Sequence, residues 1–299
     1  MSPLKPKTNK GRLLRRVRKR RVKHISVLPS LVTILNGVFG FIAIVFASKG
    51  AEAPQQESHS YFAMAGYTIL LAMFADMLDG RLARMSQSTS SFGGQLDSLC
   101  DLISFGVAPA FIMLKLLETK LELTAVLSGG LLHRFIWLAA LAYISCAAIR
   151  LARFNVENDA NEAAHMSFVG LPSPAAAGVI ISLIIFHQEQ VPGLDFLVYL
   201  MPFVTLGLAI LMVSRIRYPH ALNLYLKGKK PLGYLVRVLF FLGLVVWNMQ
   251  TALVLIFGIF AAGSLVRWLY HKAASRWVSS PAPERQALGD PTSTPQAHP

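Results

Sequence analysis

Asp76, Asp79, Asp97 and Asp101 stand within "DMLDGRLARMSQSTSSFGGQLDSLCD", residues 76–101, flanked by runs that are otherwise apolar. Asp76 and Asp79 are three residues apart and Asp97 and Asp101 four apart, so each pair falls on one face of a helix. The intervening stretch 85–94 is short, polar and rich in Ser and Gly, which makes the two helices antiparallel neighbours. Four carboxylates then meet at one end of a helix pair. Two carboxylates about 5 Å apart repel by about 3 kcal/mol at an effective dielectric near 20. Each charge deep in a bilayer adds about 2.5 to 3.5 kcal/mol on insertion scales. One or two divalent cations cancel the repulsion, and an all-oxygen ligand set favours Mg²⁺ or Mn²⁺ over zinc. The bland alternative pairs the aspartates with Arg81 and Arg84 at the wet interface. An intramembrane carboxylate cluster is more often functional.

Small residues punctuate the same stretch. Gly80 and Ala83 follow the first pair, and Gly93 sits one turn ahead of Asp97. Positions without bulk let a ligand or a backbone come close. Arg84 beside them offers a planar fork suited to phosphate. Metal, arginine and small residues together imply a phosphate-bearing substrate, and two metals with a free carboxylate imply phosphoryl-type transfer.

The elements that position these residues follow from composition. The chain has 299 residues, 54% hydrophobic and only 15% charged, with a mean hydropathy of +0.50. That is too apolar for an ordinary soluble surface. It implies an all-α, polytopic transmembrane bundle, because a spanning helix needs about 20 mostly apolar residues. Eight segments qualify, over about 28–48, 60–78, 98–116, 135–151, 170–187, 194–214, 232–247 and 250–270, with the last two separable only by a turn near Trp247 to Gln250. Cys100 and Cys146 lie in apolar runs, where a thiol behaves as a small buried hydrophobe. His133, His187 and His220 are scattered and receive no chemistry.

The net charge is +14, and eleven of the first 23 residues are Lys or Arg. With the amino terminus in the cytoplasm, 25 of the 29 basic residues fall on that side, leaving Lys49, Lys115, Lys120 and Arg134 opposite. The positive-inside rule then puts both termini and the aspartates at the cytoplasmic face of the membrane. The sequence "AEA" at 51–53 resembles a signal cleavage site, but the preceding apolar run is too long for a signal peptide. The basic leader, 1–25, is a positive-inside flank or a segment held against anionic lipid. Without a folded reader module it does not imply nucleic-acid binding. Residues 274–299 are rich in Pro, Ser, Thr and Gln, a composition expected of a disordered tail.

Written as a spacing, the opening stretch is D-x2-D-G-x2-A-R-x8-G-x3-D-x3-D, on Asp76, Asp79, Gly80, Ala83, Arg84, Gly93, Asp97 and Asp101. It resembles the signature of the CDP-alcohol phosphotransferases at every position. These are integral membrane enzymes that move a phosphatidyl or related group from a CDP-linked donor to an alcohol, releasing CMP. "RLARFNV" at 150–156, "FVGLPSPAAAG" at 168–178 and "MVSRIRYPH" at 212–220 look like the bacterial and archaeal members that use L-serine as acceptor. The resemblance covers most of 26–220, a six-helix core, and leaves 221–273 as a cytoplasmic loop with an additional helix pair. Ser30 in "LPSLVT" departs from the Asn that relatives often carry, whereas Asn36 is present.

The resemblance implies that Asp76, Asp79, Asp97 and Asp101 hold two divalent ions, Mg²⁺ or Mn²⁺. Asp101 is then the general base, Gly80, Ala83, Arg84 and Gly93 border CDP-diacylglycerol, and the protein is a homodimer. An acceptor carboxylate needs a cation, and Arg150 and Arg153, i and i+3 with Asn155 close by, are the candidates. Arg215 and Arg217 are a second possibility, and Gly170 to Ala177 read as close packing. Two rivals stand beside serine transfer. One is the same chemistry with glycerol 3-phosphate or an inositol compound. The other is a cation transporter using the aspartates as its path, although the chain lacks the internal repeat often seen in transporters.

Overall fold

Inside hydrocarbon every backbone N–H and C=O must be satisfied within its own segment, so long apolar runs become helices. The computed structural model describes residues 9–86, 91–120, 130–160, 168–214, 217–218, 243 and 247–278. Its elements are α1 (Asn9–Glu52), α2 (Gln55–Ser86), α3 (Ser91–Asp101), a π-helical segment (Leu102–Val107), α4 (Ala108–Lys120), α5 (Leu131–Ala160), β1 (Phe168–Val169), α6 (Ser173–Glu189), α7 (Asp195–Val213), β2 (Arg217–Tyr218) and α8 (Met249–Val278). Among the described residues five stretches are long and apolar enough to cross a membrane: Ser30–Glu52, Glu57–Leu82, Phe92–Lys120, Leu131–Val156 and Asp195–Val213. The chain is an integral membrane protein.

Several boundaries differ from those expected. The third span begins before residue 98, because α3 starts at Ser91 and runs through the π-helical segment into α4. Much of the expected loop 85–94 is therefore helical, with 87–90 outside the described residues. The expected span 170–187 is the 17-residue helix α6, about 26 Å long at 1.5 Å per residue. That is shorter than a bilayer core of about 30 Å. It is apolar nearly all round because it is interior: α2, α4, α7 and α8 all pack against it. The expected span 232–247 lies outside the described residues apart from helical Gly243 and Trp247. Helix α8 takes the place of the last span and continues to Val278, past the expected start of the tail. Residues 279–299 and 1–8 lie outside the described residues, while the leader is helical from Asn9.

Among the described residues a short strand pair joins the helices. Phe168 pairs with Tyr218 and Val169 with Arg217 in a two-residue antiparallel ladder. Gly170, with φ +88°, makes the bend out of it, and a Cβ there would stand 2.2 Å from the Met212 carbonyl oxygen. The Leu171 N–H then donates to the Leu211 carbonyl at 3.1 Å, which ties the entrance of α6 to the end of α7.

Helix α1 runs along α2 and also touches α3, the π-helical segment and α4, while α5 lies along α7. Small residues permit the close crossings. A Cβ on Gly40 would lie 2.8 Å from the Ser104 Cα, and one on Gly178 would lie 2.3 Å from the Phe257 ring. The buried interior gathers Phe62, Ile69, Phe105, Met113, Tyr143 and Leu171. Phe41, Phe74 and Phe203 instead point outward, as side chains facing lipid do. At the end opposite the aspartates, Tyr67 donates to Glu189 at 2.8 Å and Lys120 Nζ approaches His59 Nε2 at 3.2 Å. His59 also pairs with Gln188, and Gln250 with Glu189, so this polar end joins α2, α4, α6 and α8.

Candidate active site

Helix α2 carries Asp76 and Asp79 near its end, and the antiparallel α3 carries Asp97 and Asp101. The structure brings one carboxylate oxygen each of Asp76, Asp97 and Asp101 within 4.8 Å of one another. Asp79 is not in that trio. It is buried beside it, hydrogen-bonded to Thr33 and to the Gly80 backbone through one oxygen, while Oδ2 has no partner among the described residues. Three close carboxylates and a fourth with an orphaned buried oxygen form an unbalanced negative site. An all-oxygen set of this kind fits hard divalent cations. The residues that fit them are Asp76, Asp97 and Asp101, with Asp79 within reach of the same charge.

Helix α1 fixes the geometry from the other side. Asn36 is fully buried and donates from Nδ2 to Asp101 Oδ1 at 2.9 Å. The Asn36 carbonyl accepts from Ser104 Oγ at 2.8 Å, beside the Gly40 crossing. Asp101 is also the last residue before the π-helical segment, in which the Ala108 N–H reaches back to the Ile103 carbonyl. Such an insertion re-aims the helix on its two sides and is common at functional sites. Tyr143 on α5 covers it, donating to the Phe105 carbonyl at 3.0 Å.

The other expected residues are placed as follows. Gly80 is exposed, and among the described residues a Cβ there would meet nothing within 4 Å. Ala83 and Arg84 belong to the last turn of α2, and their side chains lie outside the described residues. Gly93 is half-buried one turn before Asp97. Arg150 lies in electrostatic range of Asp76 and Asp101, and its Nη1 donates to Ser173 Oγ at 2.6 Å. Arg153 is half-buried one turn further along α5. Asn155 turns toward α3, its amide nitrogen 2.9 Å from Ser98 Oγ. The side chains of Arg215 and Arg217 are outside the described residues. Sequence reasoning missed Thr33, Ser98, Tyr143 and Ser173, and recognised Asn36 without a role. The available signal was a polar side chain within an apolar helix.

Residues 26–216 match the model of the CDP-alcohol phosphatidyltransferase family. The chain belongs to this family. It is 33% identical over 253 residues to the CDP-diacylglycerol–serine O-phosphatidyltransferase of Helicobacter pylori (strain ATCC 700392 / 26695), covering 83% of this chain and 94% of that protein. It is 34% identical over 202 residues to the protein of the same name from Mycobacterium tuberculosis (strain CDC 1551 / Oshkosh), covering 67% and 63%. The Bacillus subtilis (strain 168) protein of that name is 30% identical over 196 residues, 66% of this chain and 92% of the relative. Membership in the family makes this chain an enzyme of phosphatidyl transfer to an alcohol, and the matched region contains the whole aspartate site.

Proposed function

We propose that the protein transfers the phosphatidyl group of CDP-diacylglycerol to the hydroxyl of L-serine, giving phosphatidylserine and CMP. The observation that carries this reading is the approach of Asp76, Asp97 and Asp101 within 4.8 Å, with Arg150 in electrostatic range. The names of the relatives support serine as acceptor. Divalent cations, Mg²⁺ or Mn²⁺, held by these aspartates would supply charge neutralisation at the donor's phosphates and at the departing CMP.

The chain's own residues account for the rest. Asp101 accepts a hydrogen bond from Asn36 on Oδ1, leaving Oδ2 to take the proton of the serine hydroxyl. The serine oxygen bonds to the phosphorus bearing diacylglycerol as the bond from that phosphorus to CMP breaks. Gly80, Ala83, Arg84 and Gly93 border the donor; among the described residues nothing lies within 4 Å of a Cβ built on Gly80, which supports a ligand's close approach there. Arg150 and Arg153, with Asn155, receive the acceptor's carboxylate. Positioning and preorganised charge supply most of the rate. The site faces the cytoplasm, the side to which the positive-inside rule assigns the basic leader with its eleven Lys or Arg in the first 23 residues, and the enzyme acts as a homodimer among membrane lipids.

The test is CMP release by purified protein given CDP-diacylglycerol with L-serine, glycerol 3-phosphate or an inositol compound in turn. Phosphatidylserine is the expected product; product with another alcohol and none with serine overturns the assignment. Asp101→Asn should abolish turnover while largely sparing donor binding, and unchanged turnover removes Asp101 as base.

A further inference from the structure

We infer that Ser173 is a positioning residue that fixes the Arg150 guanidinium for the carboxylate of the acceptor, an inference that rests on the serine reading above. Arg150 is a long side chain carried by α5, with Asp76 and Asp101 as its anionic neighbours. Left to itself, a flexible cation beside carboxylates settles onto them and is neutralised. Ser173 offers another seat: Arg150 Nη1 donates to its Oγ at 2.6 Å. A neutral hydroxyl orients the planar fork without cancelling its charge, and one of the five guanidinium N–H groups is committed in doing so. The positive charge is thereby kept for an incoming anion.

The seat is rigid. Ser173 is 0% exposed and is the first residue of α6, between Pro172 and Pro174, whose rings restrict the backbone on both sides. Just upstream, Gly170 bends the chain and the Leu171 N–H is bound to the Leu211 carbonyl at 3.1 Å. On the arginine's own helix, two turns before it, Tyr143 is anchored to the Phe105 carbonyl in the π-helical segment after Asp101. The guanidinium is thus referenced at once to the start of α6 and, through its own helix, to the π-helical segment that follows Asp101. "RLARF" and "GLPSP" therefore belong to one contact, where sequence reasoning assigned the second motif to packing.

The test is steady-state CMP release by the full-length protein and by Ser173→Ala and Ser173→Thr, with L-serine and with L-serinamide, in which a neutral amide replaces the carboxylate. Ser173→Ala should raise the KM for serine about tenfold or more, the scale of a lost hydrogen bond to a charged group. It should raise the KM for CDP-diacylglycerol much less, and reduce the preference for serine over serinamide by a similar factor. Ser173→Thr, which keeps the hydroxyl, should restore both. A purely structural role would lower the amount of active enzyme without altering that preference. The inference is overturned by Ser173→Ala retaining the wild-type preference, by equal rises in both KM values, or by Ser173→Thr performing no better than Ser173→Ala. Should Ser173→Ala not be recovered folded, Ser173→Cys, nearly isosteric with a weak acceptor, takes its place under the same outcomes. Wild-type protein that releases no CMP with serine overturns the acceptor assignment itself. A wild type active with serine, beside a Ser173→Ala variant of unchanged preference, overturns only the role of Ser173.

Discussion

Replacing Asn36 tests whether α1 holds the proposed base in place. Asn36 donates to Asp101 Oδ1 at 2.9 Å, and its own Oδ1 has no hydrogen-bond partner among the described residues. The amide nitrogen is therefore the atom that matters. A hydrogen bond to a charged group contributes about 1.5 to 3 kcal/mol. If all of it is expressed in the transition state, Asn36→Ala loses about tenfold to a hundredfold in turnover. Asn36→Asp is nearly isosteric but puts an oxygen where the nitrogen was. Two ionised carboxylates at that 2.9 Å separation repel by about 6 kcal/mol at an effective dielectric near 20, so Asn36→Asp should be less active than Asn36→Ala. The assay is CMP release in mixed micelles, with size-exclusion profiles and thermal unfolding reporting the folded fraction. A steric role for Asn36 predicts the opposite order, since the isosteric variant would then work better. Asn36→Asp matching or exceeding Asn36→Ala, or Asn36→Ala within twofold of wild type, refutes the reasoning.

Other consequences are read in the same assays. Gly80→Ala, whose new Cβ meets nothing among the described residues within 4 Å, should leave the unfolding midpoint unchanged while raising the KM for CDP-diacylglycerol several-fold; an unchanged KM removes Gly80 from the donor site. Gly40→Ala puts a Cβ 2.8 Å from the Ser104 Cα and should cost about 1 to 3 kcal/mol by overpacking, with a lower unfolding midpoint; wild-type stability would contradict the close crossing. Tyr143→Phe leaves the buried Phe105 carbonyl without its 3.0 Å donor, at a cost of about 1 to 3 kcal/mol. Retention of both stability and turnover would show the contact to be dispensable. Chelation should stop CMP release, Mg²⁺ or Mn²⁺ should restore it, and Asp76→Asn or Asp97→Asn should require more metal; full activity in chelator argues against the ions.

The sequence by itself determined the class of molecule and the carboxylate character of its centre. Long apolar runs leave helices as the economical way to satisfy the backbone in lipid, and spacings of three and four put Asp76 with Asp79 and Asp97 with Asp101 on shared helix faces. Both are local consequences of helical geometry, legible without knowing what packs against what. Span lengths were less legible, because α6 is apolar through being interior, and composition does not separate burial in protein from burial in lipid. Tertiary structure decided which helices pack around the pair that carries the aspartates and which of its side chains come together. It grouped Asp76, Asp97 and Asp101 while leaving Asp79 beside them, brought Asn36 to Asp101 across 65 residues, and joined Arg150 to Ser173. Those pairings follow from close approaches at positions such as Gly40 and from the π-helical segment after Asp101. They are set by the shapes of facing helix surfaces, which the periodicity of a single helix does not record.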